Sequence, residues 1–220
     1  MDTAADRAAS GIRALIVARE YEAGERLPAE RELAEQLGVS RPALREGIRR
    51  LRSGGVLESR RGSGTYVSHI DLAGVYDIRV RLEPLAAERA AIERSDAELE
   101  QMRARIETMR DQIDDTDRFN QSDAEFHALV SEASRSPVLL TTLQRLSELA
   151  LLSRAVLASD DGVLASAFDD VERVFRAVER QHPKRAANAM ERHILNLRTH
   201  YAEVIDGSPR RRRARVPNQR

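Results

Sequence analysis

The chain has no cysteine. That excludes disulfides, thiolate metal centres and a cysteine nucleophile. It has no tryptophan either, and aromatic residues make up only 4% of it, which argues against a surface that works by stacking bases. No apolar run approaches the roughly 18 residues that a membrane-spanning helix requires. The opening MDTAADRAAS lacks the apolar stretch of a signal peptide. A soluble, cytoplasmic chain with no membrane partner is therefore expected. Net charge is also absent, because 36 basic residues balance 36 acidic ones over 220 residues. With 41% hydrophobic residues the chain can still bury a core, so global disorder is excluded.

The zero net charge hides segregation. Residues 1–70 carry 12 Arg and 10 acids, residues 71–206 carry 18 basic residues against 26 acids, and residues 207–220 carry six Arg and no acid. This division predicts three parts with separate roles: a head over 1–70, an acidic body over 71–206 and a basic, disordered tail over 207–220. Within the head, residues 40–61 hold seven Arg against Glu46 and Glu58. Such a local basic patch suits phosphates even on a neutral chain. Arg outnumbers Lys 35 to one, so a single Arg means little without its position.

The head reads as three short helices and a hairpin. Ile12, Leu15 and Ile16 share a helical face, Pro28 opens a second helix carrying Leu33 and Leu37, and Ser40 is the N-cap of a third that runs to Gly54-Gly55. VLESRR and TYVS are short strands around Gly62-Ser63-Gly64. The body shows only helical signals, near 73–93, 95–113, 117–133, 137–158, 160–180 and 183–206. Its breaks have mechanisms: a Ser95/Glu98 capping box, Ser136 before an N1 Pro137, Asp160-Asp161 at a helix start, and His182-Pro183. The fold class is thus mainly α, an N-terminal winged helix-turn-helix followed by a six-helix antiparallel bundle.

On the third helix, Leu44, Ile48 and Leu51 form one stripe, and Arg41, Arg45, Arg49 and Arg52 form another about 90° around. Such a helix buries one side and offers guanidinium groups from the next. Arg suits phosphate oxygens and the guanine O6/N7 edge, and the helix N-terminus enters the major groove, so Arg41 and Arg45 are placed to read bases. Arg31 on the preceding helix suits the backbone or a flanking base. Arg60, Arg61 and the glycine turn suit the minor groove.

The stretch LPAERELAEQLGVSRPALREGIRRLRSGGVLESRRGSGTYV resembles the DNA-binding domain of GntR-family bacterial transcription regulators, over about residues 8–68. PAERELA, VSRPALREGIRRL and the glycine-rich wing stand together in family order. The resemblance implies base and phosphate contacts from Arg31, Arg41 and Arg45, with Arg61 and Gly62 at the wing; Ser40 at the helix start and Arg49 on the arginine stripe complete the expected DNA-binding set.

In the body, Asp123 and His127 are four apart beside Phe126 and Val130, and His193 interrupts the apolar stripe Ala186, Met190, Ile194, Leu197, Tyr201 and Val204. Arg79 flanks Leu82 and Ala86. Buried groups of this kind need partners, and Asp and neutral imidazole are ligands for zinc and other divalent metals. Each also fits a plain structural role, as a hydrogen-bonded core His or a surface Asp/His pair. R-x-x-L-E-P-L-A-A at 79–87, D-x-x-F-H at 123–127 and M-x-x-H at 190–193 resemble the FCD effector domain of the FadR branch, and the six-helix length resembles its VanR-like group. The resemblance implies an effector site of Arg79, Asp123, His127 and His193, and one divalent metal, zinc or nickel, on Asp123, His127 and His193. The family's middle His falls where this chain has Val171, and valine cannot ligate. Two options stay open: a three-ligand site completed by water or effector, or no metal, with the His residues serving as hydrogen-bond donors. His182 and His200 do not occupy the matching position.

The reading is a homodimeric, non-enzymatic regulator, a repressor by expectation. It binds a double-stranded, pseudo-palindromic operator, and a small carboxylate favours one arrangement of its two DNA-binding domains. The competing readings are a helical-bundle metal hydrolase acting through Asp123, His127 and His193, and a non-specific nucleic-acid-binding protein using the Arg tail.

Overall fold

The structure is a computed structural model that describes residues 3–18, 20–157 and 161–207. The chain divides into two compact units, Met1–Leu72 and Ala73–Arg220.

The first unit contains α1 (Ala4–Val17), α2 (Glu30–Gln36), α3 (Arg41–Ser53), β1 (Leu57–Arg60) and β2 (Gly64–Val67). Local chemistry sets these limits. Thr3 and Asp6 close a capping box at α1, where each satisfies the other's backbone N–H. The Ser40 hydroxyl accepts the Ala43 N–H at the start of α3, with Pro42 in the first turn. α2 begins at Glu30, two residues later than Pro28 suggests, and the Ala29 cap position has no side-chain bond. The reason is that residues 25–27 are extended and bonded to the outer side of β2: the Val67 N–H donates to the Glu25 carbonyl and the Leu27 N–H to the Thr65 carbonyl, both at 2.9 Å. Pro28 leaves this edge segment and does not open the helix.

β1 and β2 pair antiparallel, Leu57 opposite Val67 and Arg60 opposite Gly64. Ile12, Leu33, Leu44, Leu51, Val56, Leu57 and Val67 form the core of the unit. α1 and α3 pack closely at Gly47, where an added Cβ would stand 2.9 Å from the Ala8 Cβ, 3.0 Å from the Ala9 nitrogen and 3.1 Å from the Ala5 oxygen. Glycine is required there because two of the three obstacles are backbone.

The second unit is a helical bundle of α4 (Leu72–Glu93), α5 (Asp96–Asp111), α6 (Thr116–Ala133), α7 (Pro137–Leu157), α8 (Asp161–Glu179) and α9 (Pro183–Gly207). The Ser95/Glu98 capping box forms at α5, and Arg135 holds the same Glu98 carboxylate through two bonds of 2.6 and 2.7 Å. Pro137 opens α7 with the Ser136 hydroxyl accepting from the Leu139 N–H, and Pro183 opens α9. The core runs along Met102, Met109, Phe119, Phe126, Val174, Met190 and Ile194. No helix among the described residues is long and apolar enough to cross a membrane. The basic tail expected from residue 207 lies outside the described residues, apart from Gly207, which ends α9.

α4 departs from an ordinary apolar stripe. Its buried face carries Arg79 and Glu83 among Tyr76 and four alanines, while Ile78, Leu85 and Ile92 are exposed. Arg79 therefore lies on the buried face itself, where the sequence suggested only its edge. Leu82, expected to be buried, is only half-buried.

Candidate functional site

The candidate DNA-reading surface lies on α3. Leu44, Gly47, Ile48 and Leu51 are buried, and Arg41, Arg45, Arg49 and Arg52 are exposed on the adjoining face. Arg45 Nε donates to Glu30 Oε2 of α2 at 2.6 Å, and Arg49 pairs with Glu46 on its own helix. As exposed pairs they cost little to exchange for phosphate or base. Arg50 has a different role: it pairs with Asp6 of α1 and with Glu46, tying α1 to α3. Arg31 and Arg61 are exposed. Arg60 is held inside the wing, its Nε 2.8 Å from Glu58 and its guanidinium 4.1 Å from the centre of the Tyr66 ring. Gly62 sits at the wing tip with φ 73°, and nothing stands within 4 Å of where its Cβ would be. The Ser40 side chain serves as the α3 cap.

The second candidate site is enclosed in the bundle. α6 places Asp123 and His127 one turn apart, and α9 brings His193 against them; all three are buried. His127 Nε2 is 3.2 Å from His193 Nε2 and 3.5 Å from Asp123 Oδ1, and His193 Nε2 is 3.8 Å from the same oxygen. A tetrahedral metal with bonds of about 2.1 Å keeps its ligands about 3.4 Å apart. The three atoms therefore already have the spacing of ligands around one ion, and their types, two imidazole nitrogens and a carboxylate, suit zinc. Among the described residues they are the group with metal-ligand geometry.

Behind them stands a residue that sequence reasoning passed over. Glu83 Oε1 accepts from Arg79 Nε at 2.5 Å, and its Oε2 contacts His127 Nδ1. Glu83 lies inside the 79–87 motif, four residues after Arg79. That i, i+4 spacing of opposite charges was the available signal. Its significance depends on burial, which α4's mixed pattern does not reveal. A carboxylate on Nδ1 fixes the ring's orientation and leaves Nε2 to face the site, the usual arrangement behind a metal-binding His.

The electrostatics follow from this packing. Burial disfavours the Glu83 carboxylate, but Arg79 and His127 outweigh it and hold Glu83 far below the usual carboxylate range. Burial likewise disfavours a charged His127, yet the Glu83 and Asp123 carboxylates raise it to about 9. Burial, opposed by Asp123 and joined by the positive charges of His127 and Arg79, lowers His193 to about 4. The Glu83 and Asp123 carboxylates thus favour positive charge on His127, while burial and the neighbouring positive charges disfavour it on His193. Arg79 Nη1 is buried with no hydrogen-bond partner.

Val171 is fully buried on α8 within the apolar core. Its neighbour Asp170 accepts from Asn196 at 2.6 Å and from Arg192 and Arg173, so this part of α8 is anchored to α9 through Asp170. His182 is exposed in the α8–α9 turn, His200 is half-buried, and neither belongs to the cluster.

Comparison with known proteins covers both units. Residues 4–67 match the bacterial regulatory proteins of the gntR family, and residues 74–196 match the FCD domain. The chain is 40% identical over 159 residues to an L-lactate dehydrogenase operon regulatory protein of Escherichia coli (strain K12). That match covers 63% of this chain and spans 62% of the length of the relative. It is 26% identical over 201 residues to the HTH-type transcriptional regulator LutR of Bacillus subtilis (strain 168), covering 81% of this chain and 92% of LutR. Among solved structures, E. coli McbR/YncC superposes with TM-score 0.74 at 18% identity, over 94% of this chain and 99% of the other, which shows the fold. Streptococcus agalactiae GntR gives TM-score 0.52 at 27% identity, over 89% and 99%.

Proposed function

The chain belongs to the GntR family of bacterial regulatory proteins and carries an FCD domain, and from that premise we propose that it is an operon regulator, a repressor, whose operator affinity is set by a small carboxylate bound in the second unit. It falls, in this reading, in the VanR-like group of the FadR branch and acts in the cytoplasm. The observation that carries the proposal is the enclosed Asp123/His127/His193 cluster with the unpartnered, buried Arg79 Nη1 beside it. A donor left unpaired in an apolar interior is costly, and a carboxylate oxygen satisfies it.

The donor set fits a divalent metal, zinc or nickel. Asp123, His127 and His193 would hold it, and its chemistry would be that of a Lewis acid that a carboxylate can coordinate. Glu83 orients His127, and Arg79 neutralises the charge of the incoming acid. The operon named for the E. coli relative directs the search to 2-hydroxy acids such as L-lactate, which present a carboxylate and a hydroxyl on adjacent carbons.

On the DNA side, Arg41 and Arg45 read bases in the major groove. Arg31, Arg49, Ser40, Arg61 and Gly62 approach the backbone and the wing-side groove. One such unit reads only a few base pairs, so the operator is double-stranded and pseudo-palindromic, bound by a homodimer. α4 supports a dimer, because Ile78, Leu85 and Ile92 are 48%, 46% and 57% exposed at seven-residue intervals. That spacing lines one face of a helix, and an apolar row of this kind fits a second copy of itself.

Selection of bound genomic fragments, followed by release with a panel of hydroxy acids, tests the reading. The expected result is one enriched palindromic site and one class of acid that shifts its affinity. Binding without sequence preference, or indifference to every acid in both metal-free and zinc-loaded protein, would overturn it.

A further inference from the structure

Within the acidic body, five of the 18 basic residues gather in one place. Arg173, Arg176 and Arg180 along α8, and Arg185 and Arg192 along α9, line a cleft of about 360 Å³ that runs along the α8–α9 hairpin. Among the described residues no acidic side chain lines it. Its floor is Ala177 and Ala189, both nearly buried. The cleft exists because two methyl groups face each other between rows of long side chains.

The arginines are only partly neutralised. Arg173 and Arg192 share one oxygen of the buried Asp170, at 2.8 and 3.3 Å. Arg176 shares one oxygen of Glu172 with Arg110, at 3.0 and 3.1 Å. Arg180 and Arg185, at the turn end of the cleft, have no carboxylate partner among the described residues. Two carboxylates thus serve four guanidinium groups, and two more have none. Bringing like charges together in a concave site is unfavourable unless an anion joins them.

Length and shape narrow the ligand. From Arg185 to Arg192 the helix rises roughly 10 Å, so the guanidinium groups follow an extended anion from end to end. The volume lies at the small end of the range for small-molecule sites, about 300–1,000 Å³. Arg offers paired N–H groups that match phosphate oxygens, and the N-terminus of α9 opens at the same end as Arg180 and Arg185. The alanine floor accepts an apolar or flat portion.

We propose that the α8–α9 cleft binds a small polyphosphorylated molecule of nucleotide size, at a site separate from Asp123, His127 and His193. The oligophosphate chain lies along Arg180, Arg185 and Arg176, and the rest of the molecule lies over Ala177 and Ala189 toward Arg173 and Arg192.

The test is calorimetric titration of the full-length protein at low salt with two probes, inorganic tripolyphosphate and a nucleoside triphosphate. Both should bind the wild-type protein. The nucleotide should bind more tightly if the alanine floor holds its base and sugar, whereas equal affinity would assign the site to the phosphate chain alone. Arg180→Ala/Arg185→Ala, which breaks no ion pair among the described residues, should weaken both probes by about 100-fold, as expected for two lost charge-assisted contacts. Ala189→Glu, which puts a carboxylate on the floor, should abolish binding. Arg118→Ala, at an exposed arginine outside the cleft, should leave it unchanged, and so should Asp123→Ala. The proposal falls if neither probe binds, if the Arg180/Arg185 variant binds as well as the wild type, or if Arg118→Ala is equally damaging. It also falls if duplex DNA of unrelated sequence competes through these same arginines, which would assign the cleft to nucleic acid.

Discussion

His127 and His193 are 66 residues apart in the chain, and their Nε2 atoms stand 3.2 Å from each other in the interior of the bundle. Their ring planes lie within 26° of each other, with centroids 5.2 Å apart. Two imidazoles pointing ring nitrogens at each other need a cation or a shared proton between them, because two lone pairs at that distance repel. Asp123 closes the third side, and Glu83 holds His127 from behind.

The proposed metal site is tested by binding. Zinc or nickel should bind at one ion per chain, measured by calorimetry and elemental analysis. His193→Ala should abolish binding together with the response to effector. Glu83→Gln should weaken binding roughly 10- to 100-fold, the usual cost of losing the partner of a ligating His. Val171→His should strengthen it if that position of α8 faces the ligands. Zinc affinity unchanged by His193→Ala would remove the site.

The Arg79–Glu83 pair should behave as a buried ion pair. Arg79→Ala or Glu83→Ala alone leaves one uncompensated charge and should cost about 3–5 kcal/mol, lowering the melting temperature by roughly 10 °C. Arg79→Met combined with Glu83→Leu should recover only part of that loss, since the apolar pair needs no partner but leaves buried His127 Nδ1 without its carboxylate. Additive losses in a double-mutant cycle would show that the two residues act independently.

The arginines of α3 should separate by role. Arg45→Ala and Arg41→Ala should each reduce specific operator affinity, by about 1–3 kcal/mol for a lost bidentate base contact, without altering the melting temperature. Arg50→Ala should do the reverse: it frees Asp6 and Glu46 and lowers stability by up to about 1 kcal/mol, with operator preference kept. Equal effects of Arg45→Ala and Arg50→Ala on sequence preference would refute this division.

Gly47→Ala should destabilise the first unit by up to about 2 kcal/mol. The gain in helix propensity, about 1 kcal/mol, is smaller than the overpacking cost of about 1–3 kcal/mol when two of the three close atoms are backbone. Denaturant unfolding measures it, and an Ala variant more stable than the wild type would show that α1 and α3 can separate without cost.

Glu98 gives the pH dependence. Partial burial pushes its carboxyl up, but Arg135, the Ser95 N–H and the Ser95 hydroxyl together hold it below the usual Glu value. A lowered folded-state value means that the stabilisation is fully present above the unfolded value, near about pH 4.3, and is lost as pH falls through the folded value. Glu98→Gln should therefore lower the melting temperature at pH 7 and make less difference at pH 3. A deficit that is the same at both pH values would show that the charge of Glu98 is unimportant.

The sequence by itself determined the element order, because the signals are local. Ser40, the Ser95/Glu98 box, Pro137 and Pro183 satisfy or remove backbone donors within one turn, and they place helix starts wherever the rest of the chain lies. The exposed arginine face of α3 was legible for the same reason, since helical period alone separates it from Leu44, Ile48 and Leu51. His193 was legible as a polar residue within an apolar stripe, and Asp123 and His127 as a polar pair at the edge of one. Tertiary structure decided what local signals cannot carry. Pro28 ends an edge segment instead of opening a helix because residues 25–27 bond to a strand about 40 residues away. Arg79 and Glu83 are buried because the other helices of the bundle close over α4, although their own helix is nearly featureless in its pattern. The convergence of His193 on His127, and the pairing of α8 with α9 that gathers five arginines around two alanines, come from packing between helices. Packing depends on which faces meet across the core, and a one-dimensional pattern does not specify that.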